Sequence, residues 1–225
     1  MTNNAVSART PVTDRSLYVH HALACAPRSF AAVAQKLCGF DWVRQGGALY
    51  GVWRAQIGRP RDELNAITVW PEDADLSVLS TMMTGIGEVR QVTSEPLSAT
   101  LRPFSPQPPR RQGNYAFRWF ELPEPHWEEF LSLCAAAWPG FESAYDSQVI
   151  GLWRCVNDEP GRVRALLMTR RPDLAMWERS KIPVDAAERE VRRQLSRRYD
   201  LCDATWVYTT TLLTAEDHAD EVRCT

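Results

Sequence analysis

The side chains able to do acid–base chemistry gather early in the chain, where Leu17–Ala22 reads LYVHHA, with Tyr50, Arg54 and Gln56 following in a second apolar run. An imidazole titrates near neutrality and is the commonest general base. A guanidinium can grip an anionic or enolate oxygen with two hydrogen bonds. Side chains alternate across a strand, so Tyr18 and His20 share one face and His21 takes the other. The same alternation groups Tyr50 with Arg54 and Gln56, and Ile150 and Leu152 with Arg154. His20 is therefore the candidate base, Arg54 and Arg118 the candidate oxyanion holders, and Tyr50 an assisting phenol. Tyr18, Gln56, Thr68, Trp70 and Arg154 are candidate substrate contacts. Each has a plainer reading: a histidine on a half-buried strand is more often structural, Arg54 and Arg154 could be an inherited salt-bridge pair, and most of the nine tryptophans fill cores. A bulge would invert the face assignment. His126, at a helix start, and His218, in a polar tail, lack such a setting.

Metal chemistry has little support. There is no HxH, no HExxH and no Cys/His cluster at ligand spacing, and His20 and His21, being adjacent, point apart. No cofactor is expected, although a haem needs a single axial ligand, which His20 leaves open.

These residues sit in a chain that repeats itself. Ala48–Arg54 (ALYGVWR) returns as Gln148–Arg154 (QVIGLWR), Pro60 answers Pro160, and Leu64–Trp70 is matched with Arg164–Arg170. A period of about half the chain is too long for a solenoid, so two copies of one fold are expected. The second copy reads as strand Tyr115–Glu121, a helix from His126 to Pro139-Gly140, strands Gln148–Val156 and Val163–Thr169 about the turn NDEPG, helix Asp185–Tyr199 and strand Thr205–Leu213. The first reads as strand Leu17–Ala22, helix Pro27–Leu37, strands Leu49–Ile57 and Leu64–Trp70, a weak helix near Ala74–Met83 and strand Leu97–Arg102. Both follow β-α-β-β-α-β, the ferredoxin-like plan. The expected division is a flexible 1–15, a first unit over 16–103, a Pro-rich linker over 104–113, a second unit over 114–214 and a polar tail over 215–225. A sheet with helices on one face must bury its other face. The two units are therefore expected to pack sheet to sheet as a pseudo-dimeric α/β barrel, enclosing a space where a substrate would bind.

A net charge of −2 argues against a nucleic-acid partner. No run approaches a membrane span, residues 1–15 lack the apolar core of a signal peptide, and the six cysteines form no CxxC pair. A cytoplasmic, reduced protein is expected, either monomeric or a dimer of pseudo-dimers.

Several segments resemble one family. Gly51–Gly58 (GVWRAQIG), the hairpin after it and Val69-Trp70 look like the G-F-W-x-x-E-I-G…H-L-W core of NIPSNAP domains. Leu97–Pro106 (LSATLRPFSP) is similar to that family's closing strand, and Phe117-Arg118-Trp119 with Leu122 and Glu129-Phe130 to its opening strand and first helix. The chain departs from the pattern where Thr68 and Met168 stand in place of a frequent histidine, and Gln56 and Val156 in place of glutamate. The resemblance implies the dimeric α/β-barrel superfamily, which includes cofactor-independent monooxygenases, isomerases, polyketide cyclases and haem-dependent enzymes. NIPSNAP domains have no general activity to transfer; the enclosed space and its polar residues are read as those of a cofactor-independent bacterial enzyme of specialised metabolism, of oxygenase, isomerase or cyclase type, acting on an aromatic or polyketide-like substrate. The alternative is a non-catalytic ligand-binding or protein-interaction module.

Overall fold

The computed structural model describes residues 15–217. The expected flexible N-terminus and most of the polar tail, His218 included, lie outside the described residues. The first half runs β1 (Leu17–Cys25), α1 (Phe30–Gly39), β2 (Ala48–Ile57), β3 (Glu63–Trp70), α2 (Ser77–Thr84) and β4 (Val89–Arg102). The second runs β5 (Asn114–Pro123), α3 (Trp127–Ala144), β6 (Gln148–Cys155), β7 (Arg162–Arg171), α4 (Leu174–Arg179), α5 (Ala186–Tyr199) and β8 (Ala204–Leu212). The eight strands close into one antiparallel barrel in the order β1-β3-β2-β8-β5-β7-β6-β4. Each half contributes a ferredoxin-like sheet, and the pairs β2–β8 and β4–β6 join the two. This is the tandem ferredoxin-like barrel that the repeat implies.

Closure divides the apolar residues into three cores. Inward side chains of both halves meet in the lumen, around Tyr18, Trp53, Tyr115, Phe117 and Trp153. Outward ones meet α1 and α2 in the first half, and α3 and α5 in the second. The repeated Gly-x-Trp is part of this design. Each glycine follows a bulge, between Leu49 and Gly51 and between Val149 and Gly151. The indole two residues later folds back over it: a Cβ on Gly51 would lie 2.6 Å from the Trp53 ring, and one on Gly151 2.3 Å from that of Trp153. Only glycine leaves that space. The bulge also turns Tyr50 inward while Val52 and Arg54 point out, so alternation counted straight through it fails for Arg54.

Other details depart from expectation. Ala48 faces Val69 in the first hairpin, but Gln148 faces Arg170 in the second, because the second turn holds one more residue. Thr68 therefore corresponds to Thr169 rather than to Met168, and a one-residue slip exchanges faces. Likewise His20, opposite Ile67, corresponds to Phe117, opposite Met168, and not to Arg118. Helix α3 continues through Pro139 to Ala144. Burial of Trp138, Phe141 and Tyr145 on either side of the proline outweighs a cost of about 3 kcal/mol for proline inside a helix. Strand β4 begins at Val89, earlier than the apolar run suggests. The Pro-rich linker lies across one mouth of the barrel, where the Tyr18 hydroxyl donates to the Ser105 carbonyl (3.4 Å) and the Tyr115 hydroxyl to that of Arg111. No described helix is long and apolar enough to cross a membrane.

A candidate functional site on the helix side of the second half

The lumen receives Tyr18, His20 and Tyr50, as their strand positions predict, but it is packed. Tyr18, Trp53, Trp153, Tyr115 and Phe117 are each fully buried. Their rings meet at 5.4–6.5 Å, mostly edge to face, contacts that add roughly 0.5–1.5 kcal/mol each beyond burial. His20, 4% exposed, sits between Phe117 and Trp119. Its Nε2 lies 2.8 Å from Asn65 Oδ1, which also accepts from the Tyr208 hydroxyl at 2.8 Å. An amide oxygen only accepts, so Nε2 carries the proton. Burial, above all, and then repulsion from Arg59 and Arg164 lower the His20 pKa to about 4, against the hydrogen bond it donates to Asn65. A buried, bonded imidazole that stays neutral down to pH 4 is a structural group, not a base poised for work near pH 7.

The other candidates lie outside the lumen. Arg54 stacks on Phe30 of α1, its Cζ 3.9 Å from the ring centroid. Arg154 bonds Glu124 (2.9 Å) and Asp158 (3.0 Å) beside Trp127, the salt-bridge reading of that residue. Gln56, exposed at a strand end, accepts from Asn114 Nδ2 at 2.9 Å. Thr68 and Trp70 bond each other beneath the helices of the first half. The anticipated constellation of His20, Arg54 and Arg118 does not exist, because bulge and slip put its members on opposite sides of the sheet.

Arg118 leads to a different site. It points from β5 to the helix side and lines a cavity of about 60 Å³ between β5, β7 and α3–α5. Five cationic residues line it, Arg118, Arg171, Lys181, Arg192 and Arg198, and its walls hold no carboxylate. Arg171 and Arg198 are 5% and 3% exposed. Burial, followed by repulsion from Arg118, lowers the Arg171 pKa to about 10. Burial, then repulsion from Arg118, Arg171 and Arg192, lowers that of Lys181 to about 8. The Arg171 guanidinium (4.5 Å) and the Lys181 ammonium (4.2 Å) both lie over the Trp177 ring, and Arg118 lies over Tyr199 at 5.6 Å.

Local structure fixes these positions. Asp173 caps α4 by accepting from Met176 N at 2.7 Å, and Asp185 caps α5 by accepting from Glu188 N at 2.8 Å. Glu188 reaches back to Arg179 (3.0 Å) and to Val184 N (2.9 Å). The turn carrying Lys181 is thereby braced between the two helices. The walls come from separate strands and helices, so no motif announces them. The one available signal was Lys181 itself, since the chain has only two lysines.

Among the described residues, neither the lumen nor the helix-side cavity fits a haem. The Nε2 of His20 is taken by Asn65 in a filled lumen, and the helix-side cavity has neither the volume for a macrocycle nor a histidine, cysteine or methionine in its walls. Among the described residues no group of three or more His, Cys, Asp or Glu could hold a metal ion.

No protein-family model matches the chain, and no curated protein does. Solved structures do. The chain is similar to chlorite dismutase from Candidatus Nitrospira defluvii in complex with imidazole, with a TM-score of 0.59 and 8% identity over 89% of this chain and 92% of that one. It is similar to an anthrone oxidase-like protein, with a TM-score of 0.58 and 11% identity over 90% and 93%. A proposed monooxygenase from Lactobacillus acidophilus NCFM gives a TM-score of 0.53 and 11% identity over 88% and 94%. At such identities the likeness is one of fold, the dimeric α/β barrel.

Proposed function

We propose that the chain is a small-molecule enzyme of the dimeric α/β-barrel type, distantly akin to NIPSNAP proteins, whose active site is the helix-side pocket of its second half. The observation that carries this is the concentration of uncompensated cations around a cavity with no carboxylate in its walls. Such a pocket stabilises an oxyanion, and its stabilising charge is already in place. Lys181, with a pKa near 8, is the proton acceptor, Arg118 holds the developing enolate, and Arg171 binds the anionic part of the substrate. The reaction class is proton removal beside a carbonyl, as in isomerisation or cyclisation, without a cofactor, on an aromatic or polyketide-like substrate of bacterial specialised metabolism. Trp177 offers a flat surface for such a molecule.

The test is deuterium exchange into β-keto acids and aryl β-diketones, followed by nuclear magnetic resonance. Wild-type protein is expected to accelerate exchange, and Lys181→Met to lose roughly 10²–10⁴-fold, the range for a general base. Exchange that survives Lys181→Met, Arg118→Met and Arg171→Met sinks this reading. The small cavity favours a second reading, a module that binds an anion without transforming it. That module would show saturable binding and no exchange.

A further inference from the structure

Three hydrogen-bond donors in the pocket walls have no partner. Nε1 of Trp138, Nε of Arg171 and Nε of Arg198 are all buried and unbonded, whereas no acceptor of the same walls is left over. An unmet buried donor carries its full desolvation cost, more so when charged, and an unpaired buried guanidinium is worse. Ligand oxygens would meet all three donors at once. The Arg171 Nη1 that is bonded reaches only Thr169 Oγ1, at 3.1 Å, and Arg198 reaches the Cys134 sulfur, at 3.4 Å, and Tyr199. None of these partners is a carboxylate.

Size and charge narrow the ligand. A cavity of about 60 Å³ takes about four or five water-sized spheres, the bulk of one oxyanion and far less than a whole metabolite. A monocarboxylate has two oxygens and one charge. Its two oxygens could accept from all three donors, but its single charge would leave at least one of the two deeply buried guanidiniums uncompensated. A phosphoryl group brings three terminal oxygens and close to two charges, and arginine matches it with paired N–H groups.

We propose that the pocket holds the dianionic head group of its substrate, a phosphate monoester or free phosphate, between Trp138, Arg171 and Arg198, while the remainder leaves past Trp177 and Lys181. This rests on the reading of the pocket as the substrate site. It adds the class of substrate: a phosphorylated small molecule, its phosphate the anchor and its carbonyl near the ammonium of Lys181.

The test uses the whole chain, with thermal unfolding and tryptophan fluorescence as readouts and with inorganic phosphate, phenyl phosphate, benzoate and chloride compared at matched ionic strength. Inorganic phosphate is expected to raise Tm saturably and to change the fluorescence, and phenyl phosphate to bind more tightly. Trp138→Phe, which keeps the ring and removes the donor, is expected to weaken phosphate at least tenfold, and Arg171→Met more. Folding of both is checked by circular dichroism. Arg154→Ala, paired with Glu124 and Asp158 and outside the cavity walls, leaves phosphate binding unchanged. A phosphate effect equal to that of chloride, or one untouched by Trp138→Phe and Arg171→Met, overturns the proposal. If benzoate binds saturably and phosphate does not, the dianion assignment fails and the pocket reading stands. If neither anion binds, both fall.

Discussion

The two halves place the same backbone positions under their helices and do opposite things with them. In the first half the positions are His21, Thr68 and Trp70; their counterparts in the second are Arg118, Thr169 and Arg171. Around Thr68 every polar group is met. Its hydroxyl takes Trp70 Nε1 at 2.7 Å and lies 2.9 Å from His21 Nε2, while His21 Nδ1 lies 2.8 Å from Ser94 Oγ. Trp42 closes the space edge-on to Trp70 at 6.3 Å. Around Thr169 the tryptophan and the imidazole are replaced by guanidiniums, a cavity opens, and donors stay unmet. At these equivalent positions, satisfaction of buried polar groups thus separates the finished surroundings of Thr68 in the first half from those of Thr169 in the second, where donors stay unmet.

Removing the large ring of the finished half should have the largest effect on stability. Trp70→Ala is expected to cost about 3–5 kcal/mol, measured by denaturant unfolding, with anion binding retained. Arg171→Met should leave stability equal or higher, because it removes an uncompensated buried charge. If the two variants exchanged these behaviours, the division of labour between the halves would be wrong.

Acid should strike the first half next. Burial lowers the His20 pKa to about 4 and that of His21 to about 3, the latter also by repulsion from His20. Between pH 6.5 and about 4 the unfolded chain takes up protons that the folded chain refuses, so stability falls as pH falls. The loss is roughly 2–3 kcal/mol per imidazole near pH 4. His20→Phe, which installs the ring found at Phe117, should remove one such contribution. Hydrogen exchange should show β1 and β3 opening before β5 and β7; the reverse order would count against the scheme.

The smallest effect belongs to Lys181. Its pKa, lowered to about 8 by burial and by three arginines, means that between pH 8 and its unfolded value near 10.5 the unfolded state holds the extra proton. Stability from this group therefore rises with pH across that window. The residue as a whole keeps contact with solvent, which mutes the effect of the burial felt by its ammonium. The difference between wild type and Lys181→Met, followed from pH 7 to 10, isolates it from the buried tyrosines and cysteines, which shift the other way. No difference would mean that the ammonium does not feel the cluster.

The repeat, the element order and the sheet-to-sheet closure are legible in the sequence because apolar alternation and Gly-x-Trp are local signals. The inward placement of Tyr18 and His20 follows from strand parity alone. Arg54 was misplaced because a bulge at Tyr50 is invisible in composition, and Arg118 because β5 matches β1 one residue away from the assumed alignment, so that Phe117 answers His20. The lumen looked like a site because its filling depends on how its tryptophan and tyrosine rings interlock, which no linear pattern encodes. Arg171 and Arg198 were passed over since a cation cluster assembled from β5, β7 and α5 has no spacing to read. The short helix α4, which braces Lys181, was missed for want of length.

Barrel closure also dictates an order of events in folding. Strand β2 lies between β3, its hairpin neighbour, and β8, the last strand, so that Trp53 stands opposite Leu212. Until β8 arrives, β2 presents a row of bare amides and carbonyls beside a greasy indole, the kind of edge that invites another chain. The ring therefore cannot shut during early synthesis, and its last seam is among its most distant in sequence, which favours slow folding. Nascent chains of this protein should be most prone to mispair just before the threonine-rich run of β8 emerges.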